Sequence, residues 1–360
     1  MSYIFFSDPH IGKTLSSHTT PTSRKKLKED IVSMVDSIFS AEPEANGFIC
    51  GGDLFDKYSN KEEDLAAAYS VLKKLKVCVA GNHDLIADRE DLSSVELLSS
   101  ILKAEGDDPV ITSPSLIMLE DDRGDLTTAL HVIPHVYNQT AFQEQIEKLT
   151  TKRNCLNVVL LHCNYDSEFA TDETTLNLSK AAAAWLLEEK GFDYILIGHE
   201  HAPATHHGGR LIVMGNTQPT SFHDISDKFY WKLEKGKFTK KQIYSAEDKY
   251  LKVKADDFLS ETFILPGGTE WVRVVGDVSP ENSVALLRKV KSLWAGSDSL
   301  IAVKVDSVVA VAGTNNQQAE RSDLTQVLGK IGSELKKEDS AVYYLWLEIE
   351  AEILREKEND

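Results

Sequence analysis

The segment 193-DYILIGHEHAP-203 contains a short apolar run, YILI, that ends in a glycine and is followed by two histidines one residue apart. Such a run between turn-forming residues is typical of a buried β-strand. His199 and His201 would then lie just beyond the end of that strand. Two isolated histidines of this kind are more often exposed surface residues than a binding site, so their significance depends on which residues follow the other predicted strands.

The composition indicates a globular chain with a sizeable core. Its 360 residues, 42% of them hydrophobic, allow one large domain and a smaller one. Asp8 interrupts the first apolar run, which argues against a signal peptide, and no apolar segment reaches the roughly 18 to 20 residues that span a bilayer. We therefore expect a cytoplasmic protein without membrane contact. The four cysteines form no CxxC pair, which favours free thiols over disulfides or a zinc site.

The net charge of −18 disfavours a general nucleic-acid binder, because phosphate contacts require a basic face. It does not exclude a nuclease, in which bound metal ions and local lysines can supply positive charge where the phosphate binds.

Short apolar runs alternate with helical patterns over the first two-thirds of the chain, which is typical of an α/β domain. We predict a domain over 1–250, a linker over 251–268, a small α+β unit over 269–340 and an amphipathic helix over 341–360. That last helix could fold onto its own domain or dock to a partner.

Five predicted strands are followed by residue types that bind metals or transfer protons. The carboxyl ends of neighbouring parallel strands lie along one edge of a sheet, so we expect these side chains to meet there. Each motif alone is weak, since Gly81 and Asn82 could form only a turn and His162 could be a core histidine. The residues are Asp8 and His10, then Asp53 and Asp56, then Asn82, His83 and Asp84, then His162, and finally His199 and His201.

In this order the motifs DxH, GDxxD, GNHD, H and GHxH resemble the calcineurin-like metallophosphoesterase superfamily. Within it, 8-DPHIG-12, 52-GDLFD-56 and 133-IPHVY-137 resemble the SbcD/Mre-type DNA repair nucleases. The likeness to the superfamily covers about residues 1–235. It implies an α/β sandwich of two central β-sheets flanked by helices, followed by a small C-terminal α+β capping domain.

The resemblance also implies a site for two divalent ions. A donor set without thiolates suits Mn²⁺, which we expect, with Mg²⁺, Fe²⁺ or Zn²⁺ as alternatives. Two ions about 3.5 to 4 Å apart can clamp a phosphoryl group and lower the pKa of bound water. By resemblance, one ion would be held by Asp8, His10 and His201, the other by Asn82, His162 and His199, with Asp53 as the bridge.

The same resemblance gives His83 the role of proton donor to the departing oxygen. Asp84 would orient the His83 ring and favour its charged form, or would cap the following helix. Asp56 would form a hydrogen bond that supports a metal-binding residue. Five further residues are expected not to bind metal: His18, His131, Glu200, His206 and His207.

Three functions compete. The first is a DNA nuclease of SbcD type, acting in repair and recombination with an SbcC-type coiled-coil ATPase. The resemblance implies 3'-5' exonuclease activity on duplex DNA, endonuclease activity on single strands, and a homodimer formed through helices predicted at 24–40 and 90–104. The basic run Arg24, Lys25 and Lys26 could touch DNA phosphates or be a solvated helix start.

The second function is a small-molecule or cyclic-nucleotide phosphodiesterase, or a phosphoprotein phosphatase. The phosphatase branch usually has Arg-Gly after its second motif, whereas Lys57 and Tyr58 follow Asp56 here. The third is a scaffold that has lost its metals, which is disfavoured because every ligand position is filled.

Overall fold

The computed structural model describes residues 2–15, 17–86, 92–120, 126–167, 176–276 and 278–306. Within these ranges, no helix combines the length and the apolar character that crossing a membrane requires. The described chain divides into two compact units, one containing 2–14 and 27–246 and the other containing 15–26 and 247–306. The prediction of an uninterrupted first domain is therefore wrong. Residues 15–26 belong to the second unit, where the Val303 N–H donates to the His18 carbonyl.

The first unit contains fourteen of the described strands and five of the described helices. Its strands are β1 (Ser2–Phe6), β2 (Gly47–Cys50), β3 (Leu75–Val79), β4 (Val110–Ile111), β5 (Ser115–Glu120), β6 (Leu126–Ile133), β7 (Leu156–His162), β8 (Asn164–Tyr165), β9 (Asn177–Leu178), β10 (Tyr194–Gly198), β11 (Ala204–His206), β12 (Leu211–Val213), β13 (Lys228–Glu234) and β14 (Lys237–Tyr244). Its helices are α1 (Pro21–Ala41), which begins in the second unit, α2 (Glu62–Leu72), α3 (Ser94–Glu105), α4 (Gln139–Lys148) and α5 (Lys180–Glu188), with a 3₁₀ turn at His207–Gly209.

Two six-stranded sheets form the centre of this unit. One has the order β14-β13-β1-β2-β3-β4 and the other β11-β12-β10-β7-β6-β5, with β8 and β9 paired separately. Apolar side chains of both sheets pack into one cluster, exemplified by Phe5 and Val79 of the first sheet and Leu130 and Leu160 of the second. Burying them between the sheets stabilises the sandwich by removing apolar surface from water. The predicted architecture of two central sheets flanked by helices is confirmed.

The helical periodicity predicted from the sequence explains how the helices cover the sheets. In α1, Leu27, Ile31, Val35 and Ile38 form one fully buried stripe. The spacing of three and four residues places these side chains on one face. A second cluster lies on the other face of the second sheet, where α4 and α5 pack.

The second unit has a three-stranded parallel sheet in the order β15-β16-β17. Its strands are β15 (Tyr250–Lys254), β16 (Trp271–Val275) and β17 (Ala302–Asp306), and its further helices are α6 (Ala255–Leu259) and α7 (Pro280–Gly296). Its core contains Phe258, Val272 and Leu286. The strand, helix and strand predicted after residue 268 are confirmed as β16, α7 and β17.

The linker predicted at 251–268 is wrong over its first part. That segment contains most of β15 and all of α6, because Tyr250 to Lys254 pair in parallel register with Trp271 to Val275. The predicted boundary at residue 250 consequently falls inside the second unit. The remainder of the unit predicted to end at 340, and the helix predicted at 341–360, lie outside the described residues.

Candidate metal centre

All seven predicted metal ligands lie at or just beyond the carboxyl ends of parallel strands. The prediction that these ends share a single sheet edge is wrong, because β1, β2 and β3 belong to one sheet while β7 and β10 belong to the other. Within each sheet the ends are level, as the pairing of Gly198 with His162 shows. The ligands follow the strands as Asp8 and His10 after β1, Asp53 after β2, Asn82 after β3, His162 ending β7, and His199 and His201 after β10.

Four of these residues have a backbone conformation that L-amino acids seldom adopt. The φ angle is +54° at Asp8, +52° at His10, +47° at Asp53 and +88° at His199. Each such residue costs about 1 kcal/mol or more, and it persists only where the surroundings hold it. Here the Asp8 N–H donates to Gly52 O at 3.0 Å and the His10 N–H donates to Asp53 O at 3.1 Å. The loops after β1 and β2 therefore hold one another in the strained form.

Two glycines let the ligand loops come close to one another. A Cβ added to Gly52 would lie 2.0 Å from His162 Nδ1, and one added to Gly81 would lie 2.1 Å from Asp53 Oδ1. Any larger residue at either position would displace a predicted ligand. The glycines of the GGD and GNHD motifs thus have a steric reason in this fold.

The first group of ligands consists of Asp8, His10 and His201. One donor atom from each lies within 4.8 Å of the others, and the Nε2 atoms of His10 and His201 are 2.9 Å apart. The His199 N–H donates to both Asp8 carboxylate oxygens at 3.0 Å, which fixes that carboxylate. Two imidazole nitrogens and a carboxylate therefore face a common point.

The second group consists of Asp53, His162 and His199, with Asn82 beside them. The Asn82 Oδ1 lies 3.1 Å from His162 Nε2 and 2.9 Å from His199 Nδ1. Asp53 Oδ1 lies 3.3 Å from His162 Nε2, whereas Asp53 Oδ2 lies 4.0 Å from His10 Nε2. The two oxygens of Asp53 thus face one histidine of each group, which is the arrangement that a bridging ligand requires.

Electrostatics supports a cation in this pocket. Burial raises the pKa of Asp8, and both Asp8 and Asp53 are about 1% exposed. Burial opposes charge on His162 as well, yet the carboxylates of Asp53 and Asp8 outweigh it and raise the pKa of His162 to about 10. The pocket therefore attracts positive charge, which a divalent ion can supply in place of that proton.

Two of the other ligand rings, those of His10 and His199, are in the state that binds metal, whereas the hydrogen bond to Asp224 outweighs burial and raises the pKa of His201. Burial lowers the pKa of His10 well below its usual value and that of His199 to about 4. Both rings are neutral at pH 7, and neutral imidazole offers a lone pair to a metal. Nitrogen and oxygen donors without a thiolate suit Mn²⁺, Fe²⁺ or Zn²⁺. The seven residues therefore fit two divalent ions.

His83 is the accessible member of the cluster, with its side chain 40% exposed. Its Nδ1 lies 2.7 Å from the Asp56 carbonyl oxygen, and its Nε2 lies 4.0 Å from Asp53 Oδ2. The Asp56 carbonyl can only accept, so Nδ1 carries a hydrogen and Nε2 is left to face the cluster. His10, Asp56 and His83 also have donor atoms within 4.8 Å, but Asp56 Oδ1 is already 2.8 Å from Lys13 Nζ. Proton donation fits His83 better than metal ligation.

Asp84 does not contact the His83 ring, which corrects the predicted pairing. Its carboxylate is completely buried and accepts the N–H groups of Gly81 at 2.9 Å, Leu54 at 3.1 Å and Phe55 at 2.9 Å. Burial and the nearby Asp53 raise the pKa of Asp84 to about 7. Asp84 therefore joins the loop after β2 to the loop after β3, and the Asp56 carbonyl orients His83 instead.

We predict that Asp84→Ala lowers the free energy of unfolding by about 3 kcal/mol or more, because an unsatisfied buried N–H costs about 1 to 3 kcal/mol and three would be left. Urea unfolding in metal-free buffer measures the change. Asp84→Asn, which keeps one acceptor oxygen, should lose less. An unchanged midpoint for the alanine variant would show that these hydrogen bonds do not hold the loops.

Asp224 is a site residue that the sequence analysis missed. Its Oδ2 lies 3.1 Å from His201 Nδ1, and its carboxylate also accepts from Asn216, Thr220 and Ser221. Lys228, fully buried, donates to the Asp224 carbonyl at 2.6 Å and to the His201 carbonyl at 3.2 Å. A carboxylate on the far nitrogen of a metal-binding histidine fixes the ring and its tautomer. No fixed spacing links such a partner to its ligand, so only the fold brings it to the site.

We predict that Asp224→Ala weakens Mn²⁺ binding about 10- to 100-fold, because His201 loses the acceptor that orients it. Titration calorimetry on the metal-free chain measures this, and only one of the two binding events should weaken, because His201 belongs to one group of donors. Asp107→Ala, which removes an exposed carboxylate after α3, is the matched control. Equal affinities in both variants would remove Asp224 from the site.

Within the described residues, these groups of donors include neither the basic run nor any cysteine. Arg24, Lys25 and Lys26 lie in α1 within the second unit, and the Arg24 Nε donates to Thr19 Oγ1 at 3.1 Å. Their contact with DNA stays a prediction. All four cysteines are free, as predicted, and three of them are buried: Cys50, Cys78 and Cys163. Among the described residues, the groups able to hold a metal include none of the five side chains predicted as non-ligands: His18, His131, Glu200, His206 and His207.

Comparison with known protein families matches residues 1–203 to the calcineurin-like phosphoesterases. No curated protein matches the chain. Among solved structures, the chain is similar to the calcineurin-like phosphoesterase YfkN from Bacillus subtilis, with 12% identity and a TM-score of 0.36 over 67% of this chain and 88% of that one. It is also similar to a putative 5'-nucleotidase from Staphylococcus aureus, with 11% identity and a TM-score of 0.39 over 67% of this chain.

The chain spans about half of that second protein, 52% of its length, and TM-scores this low carry no inference about substrate. The family match is different, because it covers more than half of the 360 residues and includes all seven predicted ligands. The chain belongs to the calcineurin-like phosphoesterase family, whose members are metal-dependent phosphoester hydrolases.

Proposed function

We propose that the chain is a DNA phosphodiesterase that uses two divalent ions, Mn²⁺ first among them, and serves as the nuclease subunit beside an SbcC-type ATPase in DNA repair and recombination. The observation that carries this proposal is the accessible His83, whose Nε2 lies 4.0 Å from Asp53 Oδ2. A phosphodiester releases an alkoxide, which is a poor leaving group without a proton. The motifs 8-DPHIG-12 and 52-GDLFD-56 favour DNA among the diesters.

Metal binding and proton donation are assigned to different residues of the centre. When bound, the two ions would supply positive charge to the phosphoryl oxygens and lower the pKa of water. Asp8, His10 and His201 would hold one ion and Asn82, His162 and His199 the other, with Asp53 between the two groups. His83, anchored through Nδ1 to the Asp56 carbonyl, carries on Nε2 the proton that the departing oxygen takes.

A small-molecule or cyclic-nucleotide phosphodiesterase is the second candidate. The net charge of −18 favours it, because a strongly acidic chain repels a polyanion more than it repels a single phosphodiester. The same donor set and the same proton donor would serve this reaction, so only the substrate distinguishes the two.

One assay separates them. The purified chain is incubated with Mn²⁺ or with EDTA and with linear duplex DNA, a single-stranded hairpin, a cyclic nucleotide and a phosphopeptide. Cleavage of DNA that EDTA abolishes supports the nuclease, and end-labelled duplex reports whether digestion runs 3'-5'. Turnover of the cyclic nucleotide alone supports the second candidate. Inertness towards all four, or vigorous digestion of DNA in EDTA, would overturn the proposal.

We also propose a homodimer formed through α3. Leu97 and Ile101 are each 42% exposed and lie one helical turn apart, and Leu92, 69% exposed, precedes them. Exposed apolar side chains grouped on a helix mark an association surface, and a twofold contact of α3 with its copy would bury them.

For this surface we predict that the double variant Leu97→Asp and Ile101→Asp sediments as a monomer where the unchanged chain sediments as a dimer, because two charges would be buried unpaired at the contact. Leu116→Asp is the control, since Leu116 is similarly exposed, at 41%, on β5. A double variant that remains dimeric would exclude α3 as the contact.

A further inference from the structure

Three aromatic rings form a cluster that contains none of the predicted metal ligands. Tyr165 ends β8, His206 ends β11 and His207 begins the 3₁₀ turn. The ring centroids of Tyr165 and His206 are 4.7 Å apart with an interplanar angle of 42°, and the Tyr165 hydroxyl oxygen lies 2.8 Å from His207 Nε2. The hydroxyl contact fixes the phenol ring at its far end, so its face is held in one orientation.

The same tyrosine is tied to the loops that carry the ligands. It lies three residues beyond His162, and its backbone N–H donates to Glu200 Oε1 at 2.5 Å. Glu200 lies between His199 and His201 in sequence. The position of the Tyr165 ring is therefore coupled to both β7 and β10, the two strands of the second sheet that deliver metal ligands.

These rings differ from the buried ligands in their exposure. His206 is exposed, and Tyr165 and His207 are partly exposed, whereas His10 and His162 are 2% and 1% exposed. Tyr165 packs against the apolar cluster that α4 and α5 cover, and part of its surface stays open to solvent. None of the three side chains is acidic, although the carboxylates of Asp166 and Glu200 are close to Tyr165.

We propose that Tyr165, His206 and His207 form a stacking platform for a nucleobase of the substrate. The platform rests on the proposed function in that the substrate is a nucleotide, either polymeric or small. Every nucleobase has a π-face, so stacking on aromatic rings binds bases without reading their sequence. Attachment through Glu200 and the strand β7 would hold the base at a fixed place relative to the phosphate that the ions bind.

The test compares Tyr165→Ala with Tyr165→Phe on a short single-stranded oligonucleotide and on the same oligonucleotide made abasic, in Mn²⁺. Tyr165→Ala should raise KM for the intact strand about 10-fold, the size of one lost stacking contact, and leave kcat and the abasic strand nearly unchanged. Tyr165→Phe keeps the ring and loses only the hydroxyl contact with His207, so its KM should rise much less than that of Tyr165→Ala. Tyr69→Ala, a partly exposed tyrosine on α2, is the control.

Two results would overturn the platform. Equal losses in Tyr165→Phe and Tyr165→Ala would show that the hydroxyl contact with His207 supports structure and that the ring face binds nothing. An equal rise in KM on the abasic strand, or no rise on either strand, would exclude recognition of the base.

A binding measurement tests the stacking platform separately from the proposed nuclease activity. If the unchanged chain does not cut DNA, calorimetry measures the binding of a nucleoside monophosphate and of ribose 5-phosphate to the Mn²⁺-loaded chain. Tighter binding of the nucleotide, lost in Tyr165→Ala and kept in Tyr165→Phe, would support the platform for a small substrate. Equal binding of the two ligands would reject it.

Discussion

Asp53→Asn is expected to lower phosphodiester hydrolysis by about a thousandfold, equivalent to about 4 kcal/mol of transition-state stabilisation, and to leave fewer than two Mn²⁺ bound per chain. The reason is geometric, because Asp53 Oδ1 faces His162 at 3.3 Å while Oδ2 faces His10 at 4.0 Å. Asparagine keeps one oxygen and loses the charge, so it cannot serve both positions. Bound manganese, counted by elemental analysis after desalting, and kcat are measured on the same sample.

The asparagine variant is chosen because it can preserve the fold. Asp53 Oδ1 accepts the His83 N–H at 2.9 Å, and an asparagine oxygen can accept the same hydrogen bond. Asp107→Asn, on the surface after α3, controls for the removal of a charge. Two ions retained together with activity within tenfold of the unchanged chain would show that Asp53 does not bridge the two groups.

The strands and helices of the first unit could be predicted because burial follows the period of each element. The stripe of Leu27, Ile31, Val35 and Ile38 indicated α1, and the fully apolar run of β10 indicated a strand covered on both faces. The linker prediction failed at β15, where charged and apolar residues alternate over 250–254. Such alternation is typical of a strand with one buried face. The acidic residues on either side of it instead favoured the prediction of a linker.

The gathering of the seven ligands could also be predicted, since each follows a strand within its own local motif. The division of those strands between two sheets came only from the family resemblance. Contacts between distant parts of the chain could not be predicted from the sequence. Asp84 is joined to the N–H groups of Leu54 and Phe55, and His201 to Asp224, by the fold alone. Hydrogen bonds from backbone N–H groups to a side chain produce no recognisable sequence motif. Because Asp84 follows His83 in the sequence, the two residues were wrongly predicted to be hydrogen-bonded partners.

His83→Ala is expected to lower kcat on DNA by about 10²- to 10⁴-fold, the usual contribution of a general acid, while both ions remain bound. The imidazole is held by the Asp56 carbonyl and is 40% exposed, so its removal opens no cavity in the core and removes none of the seven predicted ligands. Single-turnover rates and manganese content are measured together. On bis(p-nitrophenyl) phosphate the loss should be much smaller, because p-nitrophenolate departs without a proton.

The comparison of leaving groups separates proton donation from the other roles open to His83. If the ring bound a metal together with His10 and Asp56, the alanine variant would lose manganese, and its activity would fall equally on both substrates. If the ring only oriented the phosphate, both substrates would again suffer alike while the ions stayed. His223→Ala, which removes an exposed histidine that belongs to none of the groups of donors, should change neither rate. Only a loss that depends on the basicity of the departing oxygen identifies His83 as its proton donor.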